Sequence, residues 1–128
     1  MALNQFGAVL TFASQLEDQL AAFYEQAAAQ DSTHASEFKQ RAEAATKRSK
    51  KITQSRNRDV TEITLEPIVG LDAGNYTLDV SQPSAASANA AEQVIQQFYT
   101  DAVPKINVRE SRKVLERCLK EHSELKAL

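Results

Sequence analysis

Leu3–Ala29, LNQFGAVLTFASQLEDQLAAFYEQAAA, decides how the chain folds. Its apolar side chains fall at Phe6, Val9, Leu10, Ala13, Leu16, Leu20, Phe23 and Ala27. Spacings of three and four are the rhythm of an amphipathic helix with one buried stripe. Some 27 residues at roughly 1.5 Å each make a rod of about 40 Å, the wall of a helical bundle. No proline interrupts it, and no glycine follows Gly7. The phrase also returns 75 residues later: Glu17–Asp18–Gln19–Leu20–Ala21–Ala22–Phe23–Tyr24 is echoed by Glu92–Gln93–Val94–Ile95–Gln96–Gln97–Phe98–Tyr99. The chain therefore reads as two helical hairpins.

Working outward, the expected helices cover about 3–30, 32–56, 84–102 and 107–126, with a crossover over 59–83, all in one domain spanning 1–128. The second helix has a stripe of mostly small residues, Ala35, Phe38, Ala42, Ala45, Ser49 and Ile52. Such a stripe permits close approach but buries little area. Asp31, Ser32 and Thr33 are its candidate N-caps, and its end is expected to fray near Arg56–Asn57–Arg58. The third helix starts at Ser84–Ala85–Ala86–Ser87 and is stopped by Pro104. Asn107 with Glu110 three residues later predicts a capping box for the fourth. That helix carries Val108, Ser111, Leu115, Cys118, His122 and Leu125 on one stripe.

The crossover differs in texture. Val60, Ile63, Leu65, Ile68, Val69, Leu71, Tyr76, Leu78 and Val80 are scattered among Pro67, Gly70, Gly74 and Pro83. A segment this apolar is expected to lie across the bundle and cover one end or side. Short extended pieces at Thr64–Pro67 and Tyr76–Val80, or a helical turn from Asp59 to Leu65, fit within it. A three-helix body with a β-hairpin in the middle is the alternative architecture.

Composition sets further bounds. The 128 residues carry a formal charge of −2, which implies no strong general attraction to nucleic acid. The single cysteine, Cys118, excludes an internal disulfide and a cysteine-cluster metal site. The longest apolar runs fall far short of a membrane span and the N-terminus lacks a secretory pattern, so a cytoplasmic protein without a membrane partner is expected. Charge alternates along the chain in blocks of −5, +7, −7 and +3, over 1–38, 39–58, 59–101 and 102–128. That suits four helices whose acidic members neighbour basic ones.

On these residues the chain resembles the ferritin-like families, most closely the rubrerythrin-type di-iron proteins. The resemblance implies a four-helix bundle of two similar hairpins. In each, a helix with a glutamate ahead of a Phe–Tyr or similar pair is followed by a helix bearing Glu-x-x-His. The matching carboxylates are Glu17 and Glu92, each seven residues before its tyrosine, Tyr24 or Tyr99. The second helix of each unit departs from the pattern. Ala45 and Arg48 stand where the first Glu-x-x-His belongs; His122 fills the second histidine position, but Leu119 precedes it by three. About four carboxylates and two histidines are needed for a di-iron site of this type. Two carboxylates and one histidine are offered, so no cofactor is expected. If any residues held a metal, they would be Glu17, Glu92 and His122, joined by Glu62 or Glu66 from the crossover.

Each singled-out residue has a plainer reading beside the functional one. Glu17 and Glu92 are expected at the edge of the apolar stripe, pairing with bases of the second and fourth helices. Tyr24 and Tyr99 are expected as core aromatics; donated across the bundle to a carboxylate, their hydroxyls would instead form a relic polar centre with Glu17, Glu92 and His122. Cys118 and His122, one turn apart, form half of a zinc or Cys–His couple, or else simply pack. Lys47, Arg48, Lys50 and Lys51 form a basic cluster that suits a polyanion, or a solvated face opposite acidic helices. The expected function is therefore a non-catalytic structural or interaction module, a candidate homodimer through exposed helix faces. Metal-dependent oxidoreductase or metal binder, and polyanion-binding module, are the alternatives.

Overall fold

The computed structural model describes Leu3 and residues 5–59 and 68–128. Helix α1 is Phe6–Gln30, α2 is Ala35–Asp59, α3 is Ala85–Ala102 and α4 is Arg109–Ser123. The architecture is an all-α four-helix bundle: α1 pairs with α2, α3 pairs with α4, and a long connection joins the hairpins. Across the bundle α2 faces α4 and α1 faces α3. The predicted stripes point inward. Leu10, Leu20 and Phe23 from α1, Phe38 and Ile52 from α2, Ile95 and Phe98 from α3 and Leu115 from α4 are completely buried.

Asp31 makes the first turn. Its carboxylate accepts from the backbone N–H groups of Thr33 and His34 at 3.0 and 3.3 Å and pairs with the His34 ring at 2.9 Å. The small stripe of α2 allows the expected close approach, and the Ser49 hydroxyl reaches the Ser14 carbonyl of α1 at 3.3 Å. Helix α2 runs through to Asp59, past the end expected near Arg56–Asn57–Arg58. Two contacts pin this end, Arg56 Nε donating to Thr11 Oγ1 at 3.1 Å and Ser55 sharing a 2.9 Å bond with Ser111 of α4.

Ile68, Leu71, Tyr76 and Leu78 of the connection are buried against the bundle, while Val69 is 79% exposed. Tyr76 packs on Phe98 and Phe12, with ring centroids 5.2 and 6.5 Å away, and donates its hydroxyl to Asp101 at 2.6 Å. Among the described residues the connection forms no strand. A 3-10 turn, Ala73–Asn75, capped by the Asp72 carboxylate, precedes Tyr76–Val80, which form no helix. Thr64–Pro67, and the helical turn toward Leu65 beyond Asp59, lie outside the described residues.

Ser84 caps α3 as predicted, in a reciprocal box with Ser87. The predicted Asn107–Glu110 box does not form. A 3-10 turn at Val103–Lys105 follows α3 and Ile106 is completely buried, so Asn107 is left exposed. Helix α4 then starts two residues late, after Val108, with no side-chain cap. Among the described residues no helix is long and apolar enough to cross a membrane.

Candidate functional site

The middle of the bundle is polar, which overturns the expectation of glutamates at the edge of the stripe. Each helix contributes a charged side chain to one central cluster, Glu17 from α1, Arg48 from α2, Glu92 from α3 and His122 from α4, and α2 buries a second, Arg41, at its edge. Glu17 and His122 are completely buried, Arg48 is 3% exposed and Glu92 is 6% exposed. All four sit at stripe positions, so helical periodicity carries them to one level of the core.

His122 is the hub. Its Nδ1 lies 2.6 Å from Glu92 Oε2 and its Nε2 lies 2.8 Å from Glu17 Oε2. A neutral imidazole would turn a lone pair toward one of these carboxylates; an imidazolium donates to both. Burial alone would lower the His122 pKa. The hydrogen bonds to Glu17 and Glu92, and their charges, overcome this and push it up to about 9. Burial would likewise raise Glu17, but the His122 bond and charge, Arg48 and the Tyr99 hydroxyl leave its carboxyl below the ordinary range.

The two tyrosines cross-brace the repeats. Tyr24 donates to Glu92 Oε1 and Tyr99 donates to Glu17 Oε2, each at 2.6 Å. Each tyrosine thus serves the glutamate of the other hairpin. Burial and the adjacent carboxylates raise both phenols, so both stay protonated donors. Tyr99 also stacks on the His122 ring, with centroids 5.7 Å apart.

Arg48 closes the charge balance. Its Nε lies 3.0 Å from Glu17 Oε1, and its Nη1 donates to Glu121 at 3.0 Å. The Nε–H is not aimed at Glu17 Oε1, so this contact is an ion pair without a directed hydrogen bond. Glu17, Glu92, Arg48 and His122 together carry zero net charge, the condition under which buried ions are tolerated. Arg41 supports the outer edge. It donates to the Tyr24 hydroxyl at 3.2 Å, to Glu37 at 2.8 Å and to the Lys126 carbonyl at 2.8 Å.

Of the sequence candidates, Glu17, Tyr24, Glu92, Tyr99 and His122 come together in one network. Arg48 joins them from the inward position the resemblance gave it and so leaves the polyanion cluster, a correction to that second reading. Lys47, Lys50 and Lys51 are exposed. Arg41 escapes notice in a run of eight bases, although Arg41, Ala45, Arg48, Ile52 and Ser55 fall at spacings of four and three. Cys118 is buried and its thiol is pushed up to about 12, chiefly by that burial, so it packs as an inert small group. His34 pairs with Asp31 in the first turn.

The donor set does not fit the di-iron centre that the resemblance implies. Both ring nitrogens of His122 are bonded to the carboxylates that would be its fellow ligands, and Arg48 sets a fixed positive charge against Glu17. Among the described residues no group of three or more His, Cys, Asp or Glu side chains could hold a metal ion. Glu62 and Glu66 lie outside the described residues. No protein-family model, curated protein or solved structure matches the chain.

Proposed function

We propose that the protein is a non-catalytic structural or interaction module of ferritin-like architecture, whose interior is completed by its own cations in place of metal ions. One observation carries this reading: His122 is engaged through both ring nitrogens by Glu17 and Glu92. A ring held in this way has no lone pair to offer an ion, and its charge neutralises the carboxylates that would attract one. Metal analysis of the purified protein after growth with iron, manganese and zinc tests the reading. The expected result is well below one ion per chain. A stoichiometric ion that is lost on Glu92→Ala would overturn it.

Association of two copies through exposed helix faces belongs to the same proposal. Sedimentation at increasing concentration is expected to show a dimer, and a monomer throughout would remove that part.

A further inference from the structure

The buried network comes close to solvent at two places, at Arg48, which lines a surface groove with Glu121, and at Glu92. The Glu92 side chain is 7% exposed, whereas those of Glu17 and His122 are completely buried. Glu92 and Arg41 line a groove of about 150 Å³ between α2 and α3, and Leu125, Lys126 and Ala127 form its other wall. These last residues follow α4, which ends at Ser123. Beside the Leu125 N–H, which donates to the His122 carbonyl at 3.2 Å, three hydrogen bonds tie the segment to α2 and α3. Arg41 Nη2 donates to the Lys126 carbonyl at 2.8 Å, Leu128 N–H donates to Asn89 Oδ1 at 2.8 Å, and Asn89 Nδ2 donates to the Leu128 carbonyl at 3.0 Å.

All three bonds go to the main chain of the segment. No side chain of Lys126, Ala127 or Leu128 takes part in them, and the segment's apolar hold on the body is the half-buried Leu128 side chain packed against the edge of the core. Lys126 and Ala127 remain exposed. Bonds of this kind are individually modest in water-accessible places, so the segment belongs to the part of the molecule that opens at low cost. Arg41 also bonds the Tyr24 hydroxyl, which in turn bonds Glu92. The guanidinium that holds the segment is therefore part of the network it covers.

We propose that residues 125–128 are a strap that gates solvent entry to the buried network through Glu92. In the closed arrangement seen here the strap walls the groove. When it lifts, the groove widens beside Glu92 and water reaches the Glu92–His122 bond without the helices parting. A competing acceptor that takes Arg41 Nη2 from the Lys126 carbonyl favours the open form by mass action.

The test follows exchange of the His122 ring N–H protons with solvent by NMR, beside urea denaturation of the same proteins. Asn89→Ala removes two of the three strap bonds. It replaces a half-buried helical residue with a better helix former, so the fold survives. The expected result is ring-proton exchange at least about tenfold faster than wild type, with a much smaller change in the unfolding equilibrium constant. Gln93→Ala serves as the control, since Gln93 lines the same groove and is exposed but makes none of the strap bonds; its exchange is expected to match wild type. Three outcomes overturn the proposal: unchanged exchange in Asn89→Ala, acceleration no larger than the change in unfolding constant, or equal acceleration in Gln93→Ala.

Discussion

His122→Ala is expected to lower stability by about 4 kcal/mol, a large share of the ~5–15 kcal/mol typical of a domain. The substitution does more than open a cavity. It removes the one group bonded to both Glu17 and Glu92, leaving two buried carboxylates with Arg48 as the only ion-paired base of the inner four. Breaking a buried pair by deleting one partner costs about 3–5 kcal/mol, since the survivor keeps its desolvation penalty. Urea denaturation followed by circular dichroism measures the loss. Wholesale replacement is expected to behave differently. With Glu17, Glu92 and His122 changed to leucine, Arg48 to methionine and both Tyr24 and Tyr99 to phenylalanine, the four inner charges and both hydroxyls leave together, and Arg41 loses one acceptor but keeps Glu37 and the Lys126 carbonyl. That variant is expected within about 2 kcal/mol of wild type, or above it. Equal losses in the two variants would show that the network itself supplies the stability.

Stability is expected to be greatest between about pH 4.5 and 6.5 and to fall by about 3 kcal/mol toward pH 9. The sign follows from the His122 pKa, which rises from an ordinary 6.5 to about 9 on folding. The folded chain then holds a proton that the unfolded chain releases. The contribution is complete below pH 6.5, fades between 6.5 and 9, and is gone above 9, a window worth about 3 kcal/mol. Glu17 sets the acid side. Its carboxyl lies below the ordinary 4.5 in the folded state, so its contribution is present above 4.5 and lost as pH falls through the folded value. Denaturation at stepped pH gives the profile directly. His122→Gln is expected to flatten the alkaline limb, and a wild-type profile level from 6.5 to 9 would exclude an imidazolium at the hub.

The parts of this fold that could be read from sequence are those where a side chain's own chemistry dictates its burial. Leu10, Leu20, Phe98 and Leu115 at helical spacing leave little choice, and all are completely buried. The repeated interval of seven from glutamate to tyrosine puts both on one face two turns apart. That made the crossed bonds of Tyr24 and Tyr99 available as a reading before the structure. Charged residues are different, because a guanidinium is equally at home in water or against a buried carboxylate. Arg48 therefore has two readings in the sequence, a solvated cluster with Lys47, Lys50 and Lys51 or the inward histidine position of the resemblance, and its partners in other helices decide for the second. The start of α4 failed for a related reason. Asn107 and Glu110 satisfy a local rule, but burial of Ile106 fixes where the chain re-enters the bundle.

The one-per-helix origin of the four charges bears on how the protein comes apart. Residues 6–59 alone would hold a carboxylate and a guanidinium whose imidazole lies in the other half; residues 85–123 would hold an imidazole missing one of its two acceptors. Each half keeps one ion pair of its own, Glu17–Arg48 or Glu92–His122, but separation breaks every bond that crosses between them, His122 to Glu17, Tyr24 to Glu92 and Tyr99 to Glu17, so intermediates with one hairpin intact are penalised. The two repeats, though each looks like a self-sufficient pair of rods, are thereby bound into a single all-or-none transition.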